Sequence, residues 1–300
     1  MARVRQEVGP DTTLVGVIGS PIAHSLTPRL HRAAFDVLGL GDTWRSVAFD
    51  VAAGQAGEAL EAMREVGIFG LSVTMPLKAD VAALVDERSD VAAKLEAVNS
   101  VVNRDGVLFG ANTDGEGFVA SLARRAGFSA AGQRCLVVGA GGAARAVVLA
   151  LAEAGAAEVA VGNRTASRAG AVAALAGVVG RAVDLSGAPG PEVEALVAQA
   201  DLVVNATPIG MVGTGGTAAE GEEWPIAPHL LHPGQVVADL IYVPRPTPWL
   251  AAAATAGATT VDGLGMLVHQ AAAQLAVWTG LDPPVEAMWR SVDPADTATS

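Results

Sequence analysis

Two kinds of residue group in this chain could do chemistry. The first is a glycine turn, Gly139-Ala140-Gly141-Gly142-Ala143-Ala144, lying between an apolar run and an alanine-rich helical pattern. It fits G-x-G-x-x-A, in which the first glycine permits a tight turn and the second lets backbone approach a pyrophosphate. The helix N-terminus then offers free N–H groups to that anion. The second kind is a set of four polar segments in an otherwise apolar chain: Gly19 to Pro28, Ser72 to Lys78, Ala97 to Ser100 and Gly110 to Asp114. Ser25 and Thr27 precede a helix, where hydroxyls and free amides can either cap the helix or bind a carboxylate. Taken singly, Lys78 and Asp114 read as surface charges rather than as catalysts.

Cofactor choice in such a fold is set about twenty residues beyond the glycines, where NAD binders place Asp or Glu against the ribose 2′-hydroxyl. Here the chain reads Asn163-Arg164-Thr165, with Arg168 following. No carboxylate repels a 2′-phosphate, and Arg164 offers it a planar fork of donors. The pattern favours NADP over NAD.

The elements that must position these residues alternate in type. Strand-like runs at Leu14–Gly19, Val47–Phe49 and Phe69–Val73 are interleaved with helical patterns opened by Pro28 and spanning Glu58–Val66. That rhythm predicts a parallel or mixed α/β sheet. Val98–Val102 and Val107–Gly110 bracket Asp105-Gly106, a hairpin signal. A second unit starts near Gly132, with strands at Arg134–Val138, Glu158–Val161, Leu202–Asn205 and Val236–Asp239, and a helix over Gly142–Ala154. The segment Met211 to Glu223 reads as a mobile Gly- and Thr-rich loop, and Gly263–Trp278 as a long late helix.

Composition narrows the class. The 300 residues suit two domains, and 51% hydrophobic against 17% charged residues argues against global disorder. A net charge of −12 disfavours a nucleic-acid partner. One cysteine, Cys135, excludes a disulfide framework and a multi-cysteine zinc site, and the scattered histidines offer no metal-ligand spacing. The apolar stretch Gly263 to Leu281 carries His269, Gln270 and Gln274, which are costly in lipid, and Met1 to Thr13 lacks a signal-peptide pattern. No membrane association and a cytoplasmic location are the expectation.

Taken together, the motifs resemble one family, the shikimate dehydrogenases, including the quinate/shikimate dehydrogenases. The resemblance runs from about Gly16 to Gly280. It is carried in order by PIAHS-x-TP, VTMP-x-K, AVN, ANTD, GAGGAARA, NRT, NATPIGM, D-x-x-Y-x-P-x-x-TP and DGLGMLVHQ. It implies an α/β fold of two domains. The first is an N-terminal substrate domain, residues 1–112 completed by 263–300. The second is a Rossmann-type NADP-binding domain, residues 113–262.

It also implies that Lys78 and Asp114 form the catalytic pair and that Ser25, Thr27 and Thr74 surround a substrate carboxylate. Asn99, Asp114 and Gln270 would hold ring hydroxyls, with Tyr242 near the substrate. Asn205, Thr207, Met211, Gly263 and Met266 would join the glycine turn and the Asn163–Arg168 segment around the cofactor. The implied reaction is reversible NADP-dependent reduction of 3-dehydroshikimate to shikimate, by a monomer or homodimer. Thr27, Arg32, Ser72 and Ala271 depart from the commoner Ser, Asn, Asn and Gly of the family pattern, which keeps quinate or aminoshikimate open as substrates. A different class, an NADP-binding regulator without turnover, would be expected to lack Lys78 or Asp114; both are present.

Overall fold

The computed structural model describes residues 9, 11–187, 190–211 and 224–293. The expected mobile loop after Met211, and most of the N-terminal segment read for a signal peptide, lie outside the described residues. The chain divides into two compact units, one comprising residues up to Thr113 together with those from Val268 onward, the other Asp114–Leu267. The first boundary thus falls between 113 and 114, and the second inside a helix rather than at 262/263.

The first unit contains β1 (Thr13–Gly19), α1 (Thr27–Val37), β2 (Trp44–Asp50), α2 (Ala56–Val66), β3 (Gly70–Val73), α3 (Lys78–Leu84), β4 (Glu87–Arg88), α4 (Asp90–Leu95), β5 (Ser100–Arg104) and β6 (Val107–Ala111). Its six-stranded sheet has the order β2-β1-β3-β5-β6-β4. Strands β1, β2 and β3 are parallel, whereas β5 runs antiparallel to both β3 and β6, so the sheet is mixed. The β5–β6 hairpin turns at Asp105 and Gly106, both left-handed (φ 53° and 92°), as the Asp-Gly signal predicts. Ile18, Leu60, Met63, Leu71, Leu77 and Leu108 form the buried centre. Each such side chain contributes roughly 1.5–3 kcal/mol by leaving water.

The second unit contains α5 (Asp114–Ala126), β7 (Arg134–Val138), α6 (Gly142–Glu153), β8 (Glu158–Asn163), α7 (Ala166–Ala173), β9 (Gly180–Asp184), α8 (Pro191–Gln199), β10 (Leu202–Asn205), β11 (Val236–Asp239), α9 (Pro248–Thr255) and β12 (Thr259–Val261). Its sheet is entirely parallel, in the order β12-β11-β10-β7-β8-β9. In chain order this is the 3-2-1-4-5-6 arrangement of a doubly wound dinucleotide fold, with its switch point between β7 and β10. The strands read as continuous apolar runs because both faces are covered. Along β7, Cys135 and Val137 pack into one core, and Leu136 and Val138 into the core on the opposite face.

Helix α10 (Gly263–Thr279) begins in the second unit and continues into the first, where α11 (Val285–Val292) follows. Within the first unit, Trp278 of α10 donates its indole N–H to Ser100 Oγ at 2.9 Å, tying the helix to β5. Among the described residues no helix is long and apolar enough to cross a membrane.

Candidate active site

In the first unit the polar segments converge because they leave neighbouring strands. Thr74 and Lys78 follow β3, and the loop after β1 lies against them: Ser20 N–H donates to the Met75 carbonyl at 3.0 Å. Val73 N–H donates to the Asn99 carbonyl (2.8 Å), and Val98 N–H donates to the Lys78 carbonyl (2.9 Å). Lys78, the first residue of α3, is therefore held beside the turn that presents Asn99. Asn99 N–H donates in turn to the Ala111 carbonyl (3.0 Å), which brings Asn112 and Thr113 alongside.

A buried amide and hydroxyl cluster results. Asn99 Nδ2 donates to Thr113 Oγ1 (3.1 Å) and to Gln270 Oε1 (3.4 Å), while Asn99 Oδ1 accepts from Thr113 N–H (2.9 Å). The Thr113 hydroxyl donates to the Gln270 carbonyl at 3.0 Å. One turn along α10, Gln274 Nε2 donates to both Gln270 Oε1 (2.6 Å) and the Asn99 carbonyl (3.1 Å). Thr113 and Gln274 are members that sequence reasoning passed over. The signal for Gln274 was its i+4 spacing from Gln270, which puts both on one helix face.

Ser25 and Thr27 behave differently from a simple cap. The N-cap of α1 is Leu26, which has no side-chain capping bond, and Thr27 lies inside the first turn. Ser25 Oγ accepts from Thr27 N–H at 3.3 Å. Thr27 is buried; Ser25, Thr74 and Lys78 are half-buried.

In the second unit, a cleft of about 620 Å³ opens at the carboxyl ends of the parallel strands. Gly139, Ala140, Gly141, Asn163, Arg164, Arg168 and Thr207 line it, as do Leu185, Val193, Ile209, Trp224 and Ile226. The latter five carry no motif, being apolar residues scattered over the sequence. Gly139 has φ +117°, and a Cβ there would stand 2.9 Å from the Ala206 carbonyl carbon and 3.1 Å from Thr207 Cγ2. The glycine thus permits both the backbone turn and the approach of the β10 loop.

Helix α6 starts from Gly141, which supplies no side-chain cap, and its first turn holds no acidic residue. Asn163 Nδ2 donates to the Thr165 carbonyl (3.1 Å), shaping the turn that carries Arg164.

The remaining predicted cofactor residues Gly142, Ala143, Thr165, Asn205, Met211, Gly263 and Met266 are not among those lining this cleft. Gly142 and Ala143 open α6, and Thr165 is the N-cap of α7. Met211 closes a turn, its N–H donating to the Pro208 carbonyl (3.0 Å). Gly263 lies so close to the Leu240 carbonyl that a Cβ would not fit, and Met266 packs against one core of this unit.

Asn205 is fully buried and accepts from the hydroxyl of Thr207, which lines the cleft. Tyr242 is half-buried, and burial raises its hydroxyl pKa. Asp114 opens α5. Burial pushes the Cys135 thiol up to about 12, with Asp201 adding to the effect, so it is an inert core thiol.

The fold and the cleft define a two-unit α/β protein with a Rossmann-type dinucleotide crevice. Residues 17–101 match the shikimate dehydrogenase substrate binding domain, 121–211 match shikimate / quinate 5-dehydrogenase, and 263–292 match the shikimate 5′-dehydrogenase C-terminal domain. The NADP(+) shikimate dehydrogenase of Moorella thermoacetica is 42% identical, covering 98% of this chain and 97% of its own. Among solved structures, the shikimate 5-dehydrogenase of Thermus thermophilus, in complex with NADP(H) and shikimate, is similar at TM-score 0.82. It is 36% identical over 94% of this chain and 99% of that one. The quinate dehydrogenase of Corynebacterium glutamicum, in complex with NAD, is similar at TM-score 0.81 and 34% identity, over 94% and 99% of the two chains. The chain belongs to the shikimate dehydrogenase family.

Proposed function

We propose that this protein is an NADP-dependent shikimate dehydrogenase, which reversibly reduces the ring ketone of 3-dehydroshikimate to the secondary alcohol of shikimate. The observation that carries the reading is the 42% identity across 98% of the chain to an NADP(+) shikimate dehydrogenase. The first unit serves as the substrate domain and the second as the cofactor domain.

The second unit fits the dinucleotide. A Cβ added at Gly141 would meet nothing within 4 Å, so the backbone there is open to a close ligand, and α6 lacks a side-chain cap that would compete for its first amides. Arg164 and Arg168 share the cleft with the glycine turn and suit a 2′-phosphate. When bound, the nicotinamide supplies or accepts the hydride at the ring carbon bearing the oxygen.

The chain's own residues orient the substrate and move the proton. Ser25, Thr27 and Thr74 bind the carboxylate. Asn99 and Gln270 hold ring hydroxyls, their amides locked by Thr113 and Gln274. We assign Lys78 to donate a proton to the developing alkoxide, or to stabilise it as a cation, with Asp114 as the second catalytic residue that the family resemblance implies. By the family resemblance we assign Tyr242 to the substrate and Asn205, Thr207, Met211, Gly263 and Met266 to the nicotinamide end. We place the enzyme in the cytoplasm, as a monomer or homodimer.

The test is turnover. Shikimate and NADP should yield NADPH and 3-dehydroshikimate in equal amounts, identified by chromatography. Binding of both ligands without product would instead support a regulator.

A further inference from the structure

We infer that Asp239 is a positioning residue for the cofactor: its carboxylate fixes which way the Asn205 amide faces and thereby sets the donor and acceptor pattern of Thr207 in the cleft. The inference rests on the proposed reading of that cleft as the dinucleotide site.

Asp239 and Asn205 are paired across β11 and β10, at the carboxyl ends where ligands bind in open parallel sheets. Both are buried, Asp239 at 1% and Asn205 at 0% exposure. Asn205 Nδ2 donates to Asp239 Oδ1 (3.0 Å) and to the Ile209 carbonyl (3.2 Å). Asn205 Oδ1 accepts from Thr207 N–H (3.0 Å) and from the Thr207 hydroxyl (2.6 Å). A carboxylate can only accept, so the amide nitrogen must face Asp239 and the amide oxygen must face Thr207.

The Thr207 hydroxyl is then committed as a donor to Asn205 and as an acceptor from Ile209 N–H (3.2 Å). Thr207 lines the cleft against Gly139, so its placement sets the wall opposite the glycine turn.

The same carboxylate is anchored from behind. Oδ1 also accepts from Ile241 N–H (3.1 Å), and Oδ2 accepts from the Thr247 hydroxyl (2.8 Å), whose oxygen caps α9 by accepting from Leu250 N–H (3.2 Å). Burial pushes Asp239 up to about 6, against the lowering effect of its three donors, with Asp262 adding to the rise. Asp262 comes from the β12–α10 turn and is itself paired with Arg245 at 2.7 Å. Tyr242 and Arg245 are the titratable side chains that follow Asp239 on the same segment. Near neutral pH the anion makes charge-assisted bonds to Asn205; below about 6 these become neutral and weaker.

The experiment measures Kd for NADPH and for adenosine 2′-monophosphate, a fragment that carries the adenine end and lacks the pyrophosphate assigned to the glycine turn beside Thr207. Asp239→Ala should weaken NADPH about tenfold or more at pH 7.5, the scale of a lost charged hydrogen bond, and change the fragment by less than about threefold. Equal weakening of both ligands, or an unchanged NADPH affinity in the folded variant, would overturn the inference.

Asp239→Asn covers the case in which the alanine variant does not fold, because its amide oxygen can still accept from Asn205. The NADPH affinity of the wild type relative to this variant should fall several-fold between pH 7.5 and pH 5. The titration of the ligand's own phosphate cancels in that ratio. A constant ratio would overturn the inference. Failure of the wild type to bind NADPH would contradict the cofactor reading itself, and the same variants would then be compared on NADH, where the same ordering is expected.

Discussion

Gln274 donates its side-chain amide to Gln270 Oε1 at 2.6 Å, one turn along the same face of α10, and its nitrogen also reaches the Asn99 carbonyl. The Gln270 oxygen is thereby committed as an acceptor, which fixes the rotamer of a proposed substrate ligand. Gln274→Leu keeps most of the volume and removes the constraint. We expect kcat/KM for shikimate to fall about tenfold, the scale of one or two net hydrogen bonds, with Kd for NADPH unchanged. Titration of NADPH beside steady-state kinetics checks this; an unaltered kcat/KM would mean Gln270 needs no such support.

Arg164 stands in the cleft where a carboxylate would mark an NAD enzyme. Arg164→Asp removes a donor to the 2′-phosphate, adds repulsion, and gives the NAD ribose an acceptor. NADP should lose about one to two decades of kcat/KM, and the preference should reverse. Initial rates with each cofactor, before and after the change, decide it. Equal use of both cofactors by both proteins would remove Arg164 from specificity.

His31 is fully buried in the first unit, with Nδ1 at 2.9 Å from Ser46 Oγ and its ring edge-on to Trp278 at 5.2 Å. Burial lowers its pKa from 6.5 to about 3. Between those values the unfolded chain binds a proton that the folded one does not. Stability is therefore complete above pH 6.5 and falls as the pH drops, by ~1.4 kcal/mol per pH unit from this residue. Urea unfolding at several pH values should show a shallower acid slope for His31→Gln than for the wild type. Equal slopes would mean that the ring is charged in the fold.

Much of this organisation was legible in the sequence. The parallel strands of the second unit announce themselves as apolar runs because helices cover both faces, and Gly139 marks its own turn because only glycine suits φ +117° beside Ala206. The less legible elements are short or half-exposed. Strand β4 has two exposed residues, β9 buries only Val183, and α5 opens on Asp-Gly-Glu-Gly, a poor helical signal. At the site, Asn99 and Gln270 were reached through motif resemblance. Their partners Thr113 and Gln274, and the cleft wall of Leu185, Val193 and Trp224, are fixed by tertiary packing that local patterns do not encode.

Lys78 begins α3, its carbonyl tied to the Asn99 turn, so replacing its side chain leaves the local backbone bonds in place. Lys78→Ala should lower kcat by about two to four orders of magnitude while KM for shikimate changes far less. A variant retaining half of the wild-type kcat would remove Lys78 from the chemistry.

The proposed activity meets its most direct test in kcat/KM for the four pairs of shikimate or quinate with NADP or NAD. Thr27, buried at the start of α1, adds a methyl beside the proposed carboxylate site, and a methyl-sized change shifts selectivity about tenfold or more. Shikimate with NADP should give the highest value, with quinate oxidation detectable but lower. A highest value for quinate, or for NAD with either substrate, would contradict the assignment.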